Sequence, residues 1–244
     1  MIRVSRPATP PAALAQAKVQ TFITRLAAHK ANPTTTLRPA RPTGYRTSDL
    51  LEIFDTHFYA KCYLTEQKFA SAWEMDVDHL EPVASNPGRV LDWNNLYPAD
   101  HKANIMRGEY YPAGGLLDPC VDAVESELLY TLIEQGEKPG FHAADPSNIK
   151  AVNTALLLND IHNGRFNNAD SHKSTRHLRY LIEKKYKTVI EAWGAYWHAK
   201  NHNDNQSRVE AEDQLRLLLS RKSSFTMLMR SVSFIRLTVS HLFD

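Results

Sequence analysis

Between Trp73 and Gly108 the chain reads WEMDVDHLEPVASNPGRVLDWNNLYPADHKANIMRG, and the order of its turn signals leaves few folds open. The short aromatic segment from Lys61 to His79 carries Cys62, Tyr63, Leu64, Trp73, Met75 and Val77, and reads as a β-hairpin. Residues 81–92 hold Pro82, Asn86, Pro87 and Gly88, the composition of a loop. Pro98 then opens a short helix that runs to about Arg107 and ends at Gly108. Successive strand residues face opposite sides, so Asp78 and His79 at the end of the hairpin can serve different roles. Asp100 and Asn104, four apart, share one face of the short helix.

These residue types suit metal-assisted hydrolysis of a phosphodiester. A divalent ion needs a few oxygen or nitrogen ligands and open positions for phosphate oxygens. A neutral imidazole beside it can take the proton of the attacking water. Asp78, His79, Asp100 and Asn104 bring such oxygen and nitrogen groups into this short stretch.

The Asp78-His79 pair, Asn95-Leu96, and an Asn at 104, nine residues after Asn95, resemble in order and spacing the motif of the HNH, or His-Me-finger, nucleases. That resemblance implies a ββα-metal unit around one ion. His79 is then the general base, Asp78 and Asn104 are ligands, and Asn95 holds the loop that bears the base. Asp100 stands where some of these nucleases have a further metal-binding histidine. Many relatives clamp the unit with two Cys-x-x-Cys pairs on zinc. Here Cys62 keeps one position, while Thr65, Asp100 and Ala103 occupy the others, so no structural zinc is expected. Packing by Tyr63, Leu64, Phe69, Trp73 and Leu96 must replace it, at about 1.5–3 kcal/mol per fully buried large apolar side chain.

Downstream, Leu116-Leu117-Asp118-Pro119, Val124 to Leu129, Ile149-Lys150-Ala151 and Leu156 to Asn159 follow in an order similar to the PtuB-type HNH effectors of Septu anti-phage systems, including those that accompany retrons. The similarity covers about residues 60–165. It implies a PtuA-type ABC-class ATPase partner, a retron reverse transcriptase with its DNA/RNA in some systems, and toxicity released on infection. The cofactor expected is one divalent ion, Mg²⁺ with Mn²⁺ as alternative.

The remaining chain frames this centre. Residues 1–50 hold eight Lys or Arg against one acid, 51–165 eight against 18, and 166–244 thirteen against eight. An acidic centre between basic flanks suits a metal centre with arms that contact nucleic acid. The contacts expected are Arg38, Arg41 and Arg46 in a Pro- and Arg-rich arm, with His101, Lys102 and Arg107 on the short helix. Leu14, Val19, Phe22, Ile23 and Leu26 form a helical stripe that ends near Asn32-Pro33. Ser48 caps a second helix. Helices are expected over Val121–Gln135, Ser147–Leu158, His172–Lys200, Asn205–Lys222 and Ser223–Leu242. Trp193, Tyr196 and Trp197 read as a core stripe.

The fold class is therefore α+β, mainly helical, in three parts: a basic helix and arm (1–47), a nuclease core (48–165) and a basic helical region (166–244). Two cysteines cannot make a disulfide framework and fit a reducing, cytoplasmic setting. No run of 18 apolar residues occurs, so no membrane partner is expected. Two other readings stay open: a stand-alone HNH DNA endonuclease, and a non-catalytic subunit docked on an ATPase.

Overall fold

The computed structural model describes residues 1–15, 17–40, 46–132, 138–164 and 169–244. Among them the fold is α+β and predominantly helical, with two antiparallel two-stranded sheets. In order come α1 (Ala17–Ala31), α2 (Ser48–Thr56), β1 (Asp76–His79), β2 (Leu96–Ala99) and α3 (His101–Arg107). Then follow α4 (Val124–Glu127), β3 (Leu128–Thr131), β4 (Gly140–Ala143), α5 (Ile149–Asn163), α6 (Ala169–Asn201) and α7 (Asn205–Leu219). Two short helices, α8 (Thr226–Ser231) and α9 (Ser233–Val239), complete the chain. None of the described helices is long and apolar enough to cross a membrane.

One hydrophobic cluster runs from Met1 and Val4 through Leu50, Phe54, Leu96 and Tyr97 to Leu215, Met229 and Ile235. The start of the chain is part of it. The Arg6 guanidinium lies 4.4 Å from the rings of both Trp93 and Tyr97 and donates to the carbonyls of Trp93 and Leu96. Trp93 in turn donates from Nε1 to the Pro7 carbonyl at 2.9 Å. This strap fixes the entry to β2 from outside the sheet, and so fixes the strand that leads into α3.

The expected hairpin over Lys61–His79 does not form. Lys61 and Lys68 make only an isolated bridge, and a 3-10 turn at Ala72–Glu74 interrupts the segment. That turn is held by Asp55, which accepts from the Ala72 N–H at 2.6 Å. β1 pairs instead with β2 beyond the loop, Asp76 opposite Ala99 and His79 opposite Leu96. Pro98 sits inside β2, opposite Val77, where a two-stranded sheet leaves one side without ladder bonds to lose. α3 starts three residues later than expected, because the Asp100 carboxylate accepts from the Ala103 N–H and caps it. Gly108, at φ 55°, ends it.

Three further expectations change. Thr47, not Ser48, occupies the N-cap of α2, and Asp49 accepts from the Leu50 N–H there. Only Val124–Glu127 of the helix expected over Val121–Gln135 is helical; Leu128–Thr131 is a strand that pairs with β4, and residues 133–135 lie outside the described residues. Leu128 and Tyr130 are buried while Leu129 and Thr131 are exposed, the period of two that a short run hides within a helical pattern. The single final helix is broken at Val232, whose extended ψ of 122° separates α8 from α9.

Candidate active site at the junction of β1, β2 and α3

The register of β1 on β2 places Asp76 beside Ala99, two residues before α3 begins. α3 therefore crosses directly over the face of β1 that carries Asp76 and Asp78. On that helix His101, Asn104 and Arg107 recur every three residues and share a stripe. Two acids at i and i+2 on a strand thus meet three side chains at i, i+3 and i+6 on a helix.

At the first end of this line, Asp76 Oδ2 accepts from Asn104 Nδ2 at 3.0 Å and lies 2.9 Å from His101 Nδ1. The corner is open to solvent: the His101 side chain is 69% exposed and that of Asp76 37%. At the other end, Asp78 is buried. Arg107 Nη1 donates to both of its oxygens at 2.7 and 2.9 Å. The Tyr63 hydroxyl donates to Oδ2 at 2.7 Å, and the His79 N–H to Oδ1 at 2.7 Å. Burial pushes the Tyr63 phenol well up, with the neighbouring Asp78 charge adding and Arg107 opposing, so Tyr63 remains a donor. Arg107 also donates to the Leu80 carbonyl at 2.5 Å.

His79, the last residue of β1, is turned toward the loop over residues 81–92. Its Nε2 is 2.7 Å from the Val90 carbonyl, which can only accept, so Nε2 carries a hydrogen and donates it there. The loop that supplies this carbonyl is fastened from within. The fully buried Asn95 accepts from the Glu81 N–H at 2.7 Å and donates to the Glu81 carbonyl at 2.9 Å and the Arg89 carbonyl at 3.1 Å. Arg89 binds Glu81 and Asp92 across the same loop at 2.9 and 2.8 Å, and α1 packs against it near Pro87–Arg89.

The other expected site residues are spread around this core. Asp100 spends its carboxylate on the helix cap. Lys102 and Arg38 are exposed. Arg46 donates to the carbonyls of Trp73 and Met75, at the lead-in to β1. Arg41 lies outside the described residues. Arg107, expected to contact nucleic acid, is buried and bonded to Asp78 and the Leu80 carbonyl. Asp76 was missed; its signal was the strand period, two residues before Asp78, together with the i, i+3 spacing of His101 and Asn104.

Cys62, Thr65, Asp100 and Ala103, the four positions weighed above for zinc thiols, lie near one another. The Thr65 N–H faces Cys62 Sγ at 3.5 Å, and the Asp100 backbone also bonds that sulfur. Burial pushes the Cys62 thiol up against these bonds, so it stays protonated. Among the described residues no three His, Cys, Asp or Glu side chains gather as a cation cage. The donor set at the open corner is instead one carboxylate, one imidazole and one amide. Set against protein-family models, curated proteins and solved structures, the chain finds no match.

Proposed function

We propose that this chain is a metal-dependent endonuclease of HNH type, which hydrolyses phosphodiester bonds in nucleic acid. The observation that carries the reading is the His79–Val90 hydrogen bond. A histidine whose Nε2–H is given to a fixed carbonyl has its tautomer set, and its Nδ1 lone pair is oriented to accept a proton from water. Asn95 serves this geometry from a distance by closing the loop that carries the Val90 carbonyl.

Asn104 and an aspartate of β1 would hold a divalent cation, whose charge, when bound, would offset that building on the phosphate and the leaving oxygen. The donor chemistry at the β1–α3 corner fits such an ion: hard oxygen ligands with one nitrogen, in a partly open setting. Exposed Lys102 and the basic flanks supply the charge to attract a polyanion. The resemblance of residues 60–165 to PtuB-type effectors extends the proposal to an anti-phage complex with an ABC-class ATPase, and to a toxic activity gated by that partner.

The test is cleavage of plasmid DNA and of a total RNA pool, with Mg²⁺, Mn²⁺ or chelator, by the wild type and by His79→Ala. The chain is assayed alone and co-expressed with the products of its neighbouring genes. Metal-dependent cleavage that falls about 100-fold or more in His79→Ala is the expected result, since loss of a positioned base costs that much. Absence of metal-dependent cleavage in every combination would overturn the reading.

A further inference from the structure

We propose that the cation of this site is held by Asp76, His101 and Asn104, and that Asp78 is a structural partner of Arg107 rather than a ligand. The inference rests on the endonuclease reading only for the ion's purpose; its geometry stands apart from it. An ionised carboxylate offers about four acceptor positions. Asp78 meets Arg107 on both oxygens, Tyr63 on one and its neighbour's N–H on the other, all within 2.9 Å and out of solvent. A cation at Asp78 must displace a buried guanidinium, leaving that charge without its partner, which is costly.

Asp76 stands on the same strand face, two residues earlier, with its carboxylate a third exposed. Both groups that touch its Oδ2 are themselves metal-binding side chains. A half-turn of the Asn104 amide exchanges Nδ2 for Oδ1 at the same place, and His101 offers Nδ1 once its hydrogen moves to Nε2. Carboxylate oxygen, amide oxygen and imidazole nitrogen then converge from one strand position and two helix positions at i and i+3. The helix and the strand register hold these positions without any ion. A nitrogen ligand beside two oxygens shifts preference from Mg²⁺ toward Mn²⁺ and its first-row neighbours, with water and phosphate oxygens left to complete the shell.

The experiment is Mn²⁺ titration of the full chain in the absence of nucleic acid, read by the electron paramagnetic resonance signal of free Mn²⁺. Paramagnetic broadening of the histidine ring and tyrosine signals is followed by NMR in parallel. Wild type, Asp76→Asn and His101→Gln are compared, with circular dichroism checking that each variant is folded. The expected result is selective broadening of the His101 ring and affinity reduced by about tenfold or more in both variants, the scale that even outer partners of a ligand reach. Unchanged Mn²⁺ affinity in Asp76→Asn, or broadening centred on Tyr63 beside Asp78, would overturn the assignment. Mn²⁺ binding at this corner, together with no cleavage in any combination of the separate nuclease assay, would sink the endonuclease reading and leave the site standing. Should Asp76→Asn fail to fold, His101→Gln and the broadening pattern decide alone.

Discussion

The Arg107 guanidinium and the Asp78 carboxylate form a buried ion pair, one Nη1 reaching both oxygens at 2.7 and 2.9 Å. Each residue makes the other tolerable inside the protein, and together they tie α3 to β1. Arg107→Met removes one partner and leaves a buried charge, so unfolding free energy falls by about 3–5 kcal/mol. Adding Asp78→Asn to that variant removes the stranded charge and recovers much of the loss. Urea denaturation of the four proteins in the cycle checks this. A double variant no more stable than Arg107→Met would show that the pair does not couple.

Asn95 anchors the loop through three side-chain hydrogen bonds. Asn95→Ala deletes the buried donor and acceptor at once and leaves the Glu81 and Arg89 backbone groups unsatisfied. The expected cost is about 1–3 kcal/mol for each buried group stranded. Hydrogen exchange reports the local effect directly. The Glu81 amide, protected by Asn95 Oδ1 at 2.7 Å, exchanges faster in the variant, while amides of α7 at the far end of the chain keep their relative protection. Equal acceleration everywhere would mean that Asn95 contributes only global stability.

Acid weakens this fold from near neutral pH downward. Burial pushes the His162 imidazole down to about 4; Nδ1 donates to the Leu158 carbonyl at 2.8 Å, and Nε2 is buried without a hydrogen bond. The folded chain keeps this ring neutral while the unfolded chain protonates it near the usual 6.5. Unfolded molecules thus bind more protons between those values, so stability is present above about 6.5 and is lost as pH falls toward 4, by on the order of 3 kcal/mol. Glu66 adds a later phase. Burial would raise it, but the amino group of Met1 at 3.1 Å and Lys61 at 3.3 Å win and bring it to about 2. Its contribution is present above about 4.5 and is lost as pH falls through 2. Urea midpoints at pH 7, 5.5 and 4 show the first slope, and His162→Phe flattens it if the ring is responsible.

How far these features could be read from the sequence depends on how local they are. The stripe of α1, the helical ranges of α5, α6 and α7 and the Pro/Gly loop over 81–92 are local; α1 ends as expected near Asn32, and the three later helices lie within about five residues of their expected bounds. β3 was hidden because Leu128–Thr131 is too short to separate a period of two from one of 3.6. Asp76 and Arg107 depend on register. An aspartate and an arginine look like surface residues until β1 meets β2 and lays α3 across them. Arg6 was overlooked for the same reason, since its aromatic partners lie more than fifty residues away.

Trp73 is the large aromatic most exposed beside the candidate site, at 59%. It follows Ser71, whose hydroxyl accepts from the Trp73 N–H, and it stands three residues before Asp76. Arg46 is fixed near it, donating to the Trp73 and Met75 carbonyls with its guanidinium 5.8 Å from the ring. A held aromatic face beside a cation, next to the site proposed to take phosphodiesters, is suited to stacking an unpaired base. Trp73→Ala is therefore expected to weaken binding of a single-stranded oligonucleotide by about 1–3 kcal/mol, the range for one stacked base. Thermal midpoint should barely change, because the ring buries little. Arg46→Ala is expected to weaken binding less and to loosen the lead-in to β1. Fluorescence anisotropy with a labelled oligonucleotide in chelator, where nothing is cut, measures this at two salt concentrations. The loss from Trp73→Ala should persist as salt rises, since stacking needs no counterion release, whereas affinity as a whole falls. An effect that vanishes at high salt would assign Trp73 no stacking role and leave the nearby charges as the whole of the contact.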